Sequence, residues 1–144
     1  MKKCIFVCFM IALIISSCQQ QKSSKIEGAW KLVSIYAVVN DTVQTFPGFW
    51  KGAQMKMWSK DHFAFVGEFK SDTISEDSYG GGTYTLKDNL YDETILYHTY
   101  KSEVGKTIKM KLEIKNDTLY QTFPLKDDGT LDSSNYHTEK YIRF

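Results

Sequence analysis

Apolar and polar residues alternate with period two along most of the chain after residue 28, and no long stretch carries helical spacing. The clearest case runs from Thr107 to Lys115. Ile108, Met110, Leu112 and Ile114 alternate there with Thr107, Lys109, Lys111, Glu113 and Lys115, so one face of a strand is dry and the other wet. The pattern predicts eight strands, near residues 28–39, 53–59, 62–69, 81–87, 90–99, 107–115, 118–125 and 138–144. The connections between them alternate long and tight, with tight turns at 60–61, 88–89 and 116–117. In an antiparallel meander every second connection falls at the same end of the sheet. The expectation is therefore an all-β fold, an eight-stranded up-and-down antiparallel barrel with a shut base and a mouth ringed by the longer connections.

The turns fix which side chains point inward. Asn116-Asp117 suits positive φ, and folding across it sets Ile114 opposite Leu119, Leu112 opposite Gln121 and Met110 opposite Phe123. Asp88-Asn89 sets Leu86 opposite Tyr91 and Tyr84 opposite Glu93. Strict alternation then turns Tyr84, Leu86, Tyr91, Glu93, Ile95 and Tyr97 inward and His98 outward. At Lys60-Asp61 two registers compete. A two-residue loop puts Lys56 beside Phe65, mixing charge with core; a three-residue loop pairs Met57 with Phe63 and Met55 with Phe65, and is preferred.

These parities nominate a lining of Glu93, Tyr84, Tyr91, Tyr97, Phe65, Met110 and Phe123, with Phe49 and Trp50 at the mouth. A buried carboxylate is costly unless paired. Glu93 either meets the polar head of a ligand or accepts a hydrogen bond from Tyr84 or another phenol, and the second reading is favoured. The run Phe46-Pro47-Gly48-Phe49-Trp50 puts three large aromatics into a connection. It serves as a lid over a ligand, a plug in its place, or, ranked behind these, a partner surface.

Residues 1–17 stand apart from the barrel. Lys2 and Lys3 precede an unbroken apolar run from Cys4 to Ile15, too short for a membrane span of about 20 residues but suited to a secretory signal. Ile15-Ser16-Ser17-Cys18 resembles the bacterial lipobox, which implies cleavage before Cys18 and lipid on its sulfur; ordinary secretion is the alternative. Cys18 would then be the only thiol left, so no intramolecular disulfide is possible. Residues 18–27 read as lipidated cysteine and flexible tether, and 28–144 as one barrel domain. Gln19 after the cysteine implies, by the same resemblance, passage to the outer membrane, with the leaflet open.

Composition excludes more than it selects. Losing Lys2 and Lys3 takes the formal net charge from +1 to −1, and no basic stripe suggests nucleic acid. His62, His98 and His137 lack metal-ligand spacing. No nucleophile elbow, phosphate loop or paired-carboxylate motif is present, so no catalytic residue, metal or cofactor is nominated. Gly80-Gly81-Gly82 reads as a loop end entering a strand. An enzyme with Glu93 as general base lacks a second catalytic group.

Gly28-Ala29-Trp30 resembles the G-x-W that opens lipocalins, and Arg143 is the only arginine in the chain. In that wider group an arginine of the final strand packs over this tryptophan at the closed end. Gly28 to Ser34 (GAWKLVS), Gly80 to Thr85 (GGGTYT) and Tyr91-Asp92-Glu93 are similar to a lipocalin-like family of bacterial envelope lipoproteins. Tyr141 stands near the end, where a tryptophan often precedes the arginine. The resemblance implies a Trp30–Arg143 pair at the base and no catalytic residues. The expected function is a membrane-anchored carrier of a small hydrophobic molecule in the cell envelope. The alternative is a non-enzymatic interaction or structural module with a filled barrel.

Overall fold

A computed structural model describes residues 25–48 and 50–144. Among them the backbone forms β1 (Gly28–Val39), β2 (Thr42–Phe46), β3 (Lys51–Ser59), β4 (His62–Lys70), β5 (Ser75–Lys87), β6 (Leu90–His98), β7 (Thr107–Lys115), β8 (Thr118–Phe123) and β9 (Asn135–Arg143). All neighbours pair antiparallel in the order β2-β1-β3-β4-β5-β6-β7-β8-β9, and β1 also pairs with β9, closing the sheet. Pairing of β1 is divided. Gly28–Lys31 pairs with β3 and Ile35–Val39 with β2, so β2 and β3 together occupy one stave of an eight-stave barrel. Closure leaves no full-length edge for another chain to pair with.

The extra strand corrects the expected long connection at 40–52. Asn40 and Asp41 both take positive φ (49° and 60°) and turn the chain straight back on β1. Asn116-Asp117 does the same between β7 and β8, at φ 49° and 58°. The connection expected at 70–80 also shrinks, to the residues between Lys70 and Ser75, because β5 starts earlier than its apolar pattern does. The tight turns after β3, β5 and β7 still share one end with Gly28 and Arg143. The connections after β1, β4, β6 and β8 share the other, while β2 ends part-way down β1, opposite Ile35.

Two further expectations are overturned. Ser59 pairs with His62, so the Lys60-Asp61 loop has two residues, with Lys56 opposite Phe65 and Trp58 opposite Phe63. Lys56 thus points inward. The run Gly80-Gly81-Gly82 lies inside β5 and is not a loop end. A Cβ on Gly82 would stand 2.0 Å from the Thr94 carbonyl oxygen, closer than any side chain tolerates. At this squeeze Gly81 pairs with Tyr97 but Gly82 with Ile95, leaving Leu96 as an extra residue on β6. Such a bulge reverses the alternation beyond it. Tyr97 therefore faces solvent, 73% exposed, and His98 turns inward against Phe65.

The base is solid. Trp30 is fully buried, Trp58 packs edge-on against it at 6.5 Å, and Tyr141 packs edge-on against Trp58 at 6.0 Å. Each such aromatic pair contributes about 0.5–1.5 kcal/mol beyond burial of its area. Trp30 Nε1 donates to the Ile26 carbonyl at 2.8 Å, and the Arg143 guanidinium lies over its ring, 4.3 Å from the centroid. Arg143 also donates to the carbonyls of Glu27 (3.0 Å) and Lys25 (2.6 Å). Gly28 sits at φ 118°, and a Cβ there would come 3.0 Å from Arg143 Nη1. The glycine of the opening triplet thus makes room for the arginine.

Candidate functional site

Above the aromatic base the barrel is hollow. A cavity of about 420 Å³ opens toward the mouth, within the ~300–1,000 Å³ range of small-molecule sites. Its apolar wall comes from Ile35, Phe65, Phe69, Ile95, Ile108 and Phe123. Alternation on each strand supplies them, and it supplies the polar groups as well.

The polar groups form two chains. On the floor, Trp58 Nε1 donates to the Tyr91 hydroxyl (2.8 Å), which donates to Glu93 Oε1 (2.8 Å). Glu93 Oε1 is ion-paired with Lys56 Nζ, which also donates to Gln121 Oε1 at 3.2 Å. Lys56, Glu93 and Gln121 are all buried. The ammonium lies 5.0 Å from the ring centroids of both Trp58 and Phe63, a cation–π setting for a desolvated charge. On the wall, Ser78 Oγ donates to Gln54 Oε1 (3.0 Å), Gln54 Nε2 to the Tyr141 hydroxyl (3.1 Å), and that hydroxyl to Glu139 Oε2 (2.6 Å). Glu139 borders the cavity, and among the described residues Tyr141 is its hydrogen-bond donor.

Burial shifts the titrations here. The Glu139 carboxyl is raised above its ordinary value, first by burial and then by Glu93, while Lys56 and the Tyr141 hydrogen bond pull it part of the way back. Its surface meets the cavity but protein surrounds it. The Tyr141 phenol is pushed far up by burial and by Glu139 beside it, and that of Tyr91 by burial and Glu93. Burial lowers the His137 imidazole, whose ring stacks on Phe123 at 5.3 Å.

The nominated residues divide. Glu93, Phe65, Met110 and Phe123 border the cavity. Tyr84 and Tyr91 lie lower, buried in the base with ring centroids 5.1 Å apart. Tyr97 is outside the barrel for the reason given above. Trp50 borders a second hollow of about 190 Å³ at the rim, with Phe46 packed edge-on against Phe69 at 5.3 Å. Phe49 and Cys18 lie outside the described residues. Glu93 does accept from a phenol, but from Tyr91 and not Tyr84.

Sequence reasoning missed Lys56, Gln54, Gln121, His137, Glu139 and Tyr141. For the last three a signal existed. His137, Glu139 and Tyr141 alternate, and Tyr141 lies opposite Leu119 across β8, on the dry face. Lys56 was readable only together with its partner.

Among the described residues no group of three metal-ligating side chains converges, and no helix is long and apolar enough to cross a membrane. Comparison with family models, with curated proteins and with solved structures finds no match to this chain.

Proposed function

We propose that the protein is a lipocalin-like binding protein that holds a small molecule with an apolar body in its upper lumen. The observation that carries this reading is the cavity of about 420 Å³ above a solid base, walled by Phe65, Phe69, Phe123, Ile35 and Ile108. A barrel of eight staves encloses room for about one such ligand. The G-x-W start and the Trp30–Arg143 stack support kinship with lipocalins. Binding without turnover fits the geometry best, because Glu93 is already committed to Lys56 and Tyr91.

The apolar leader and the Ser16-Ser17-Cys18 sequence support lipidation at Cys18 and residence in the bacterial cell envelope, on the outer membrane. The tether would leave from the base, since Gly28 lies there, and the mouth would face away from the anchoring membrane. The partners are then a small ligand and, through the lipid, a membrane; nucleic acid has no place.

A second reading has its own observation. Val66 and Tyr79 pair across β4 and β5, and Tyr79, Leu96 and Tyr97 line an outer groove beside Gly81, all exposed. That apolar strip suits an envelope protein partner, which the barrel would serve as an interaction module.

Mass spectrometry of small molecules released from natively lipidated protein tests the first reading. One stoichiometric species, lost when Phe123 is replaced by Trp to fill the cavity, is expected. A protein that emerges empty and takes up nothing from envelope lipid extract, while cross-linking to one envelope protein through Tyr97, would establish the second reading instead. Mass analysis of a Cys18→Ala variant checks the anchor: the wild type should carry acyl mass that the variant lacks.

A further inference from the structure

We infer that the cavity selects an amphipathic cation, an organic amine with an apolar chain, and that Glu139 is its counter-ion. This rests on the reading of the lumen as a ligand site and names the charge of the ligand's head.

Negative charge is left over in the lumen. Glu76, Glu93 and Glu139 face inward on their strands, and among the described residues Lys56 is the one lysine that borders the cavity. Lys56 is consumed. Glu93 pairs with it, Gln121 accepts from it, and aromatic rings crowd it. Among the described residues no lysine or arginine of the lining is left for the carboxylate or phosphate of an anionic ligand.

The carboxylates are not consumed equally. Glu93 is neutralised by Lys56. One oxygen of Glu76, at the rim, accepts from the Tyr100 hydroxyl at 2.7 Å. Glu139 sits deeper and lines the lumen, held through Oε2 by the Tyr141 hydroxyl, which Gln54 in turn orients. A carboxylate lining a low-dielectric cavity, with no ion-pair partner of its own among the described residues, gains from a new positive charge. An ammonium supplies that charge and several donors. Phe69 and Phe123 of the lining offer apolar surface for the adjacent methylenes.

The experiment compares three probes with one ten-carbon chain: decylamine, decanol and decanoate. Each is titrated below its micelle threshold into the full barrel, with calorimetry and intrinsic tryptophan fluorescence as readouts. Decylamine is expected to bind at least tenfold more tightly than decanoate, with decanol between. In Glu139→Gln the amine should lose about that factor while decanol holds its affinity. Equal binding of all three, or preference for decanoate, overturns the cation inference and leaves the ligand-site reading standing. Amine preference that persists in Glu139→Gln overturns the assignment to Glu139. If no probe binds, both fall together. Should the variant fail to fold, the order of the three probes on the wild type still decides the sign of the head group.

Discussion

Lys56 on β3 and Glu93 on β6 meet as an ion pair beneath the cavity, although two strands separate theirs in the sheet. The contact crosses the lumen. It ties opposite walls at the level where packed base gives way to hollow, and Tyr91 and Gln121 complete its hydrogen bonds.

Breaking this pair from one side should be costly. Lys56→Met leaves Glu93 charged and unpaired, and a loss of about 3–5 kcal/mol in urea denaturation is expected. The double variant Lys56→Met/Glu93→Leu should recover most of that loss, since well-packed apolar pairs replace buried ion pairs at little cost. A single variant within about 0.5 kcal/mol of wild type would mean the pair is not closed in solution.

Glu139 predicts a pH dependence of definite sign. Its folded pKa lies above the unfolded value. Between the two the native state binds more protons than the unfolded chain, so stability falls as pH rises through the window. Above the folded pKa the full penalty is present; below the unfolded value it is absent. Glu139→Gln should flatten this part of the stability profile and gain on wild type as pH increases. His137, depressed by burial, acts oppositely: its contribution is present above the ordinary histidine value and lost as pH falls below it. A stability profile unchanged by Glu139→Gln on the acid side would refute the assignment.

The Tyr84 hydroxyl is buried in the base without a hydrogen-bond partner among the described residues. Removing a group that is desolvated and unpaid for costs nothing and can gain up to about 1 kcal/mol. Tyr84→Phe should therefore match or exceed the wild type in thermal melts. A clear drop in Tm would reveal a hydrogen bond to this hydroxyl.

Arg143→Ala removes the cation over Trp30 together with the two carbonyl contacts to Lys25 and Glu27. The stack alone is worth about 0.5–2 kcal/mol. Amide exchange at residues 25–30 should accelerate in the variant, with the cavity wall on β6 and β7 unaffected. Uniform acceleration over the whole barrel would show instead that the base is the fold's cooperative centre.

Legibility in the sequence followed turn chemistry and failed where long-range pairing took over. The β7–β8 hairpin was readable because Asn-Asp joins two alternating runs, and the pairs Ile114–Leu119 and Leu112–Gln121 are present. The β5–β6 pairs Leu86–Tyr91 and Tyr84–Glu93 followed from Asp88-Asn89 in the same way. The identical dipeptide at 40–41 carried the same information, but Thr42–Phe46 is mostly exposed and lacks the apolar alternation that would have marked it as a strand. Lys56 defeated the third hairpin because excluding charge from a core is sound until a partner exists, and that partner lies 37 positions away. The bulge at Leu96 defeated Tyr97 and His98. Period two has no memory of an inserted residue, and the bulge lies opposite Gly81 and Gly82, where a Cβ on Gly82 would have no room.

The divided stave leaves a weak link in the hoop. Between Lys31, where β3 leaves β1, and Ile35, where β2 takes over, β1 has no ladder partner on that side, and its register with β9 slips at the same level. Two more gaps lie further round: among the described residues Leu96–His98 of β6 have no ladder partner on β7, and Thr107–Met110 of β7 have none on β8. A ring strained from within parts where the stitching is missing, so a guest wider than the rim would spread these seams before it disturbed the fully laddered pair of β4 and β5.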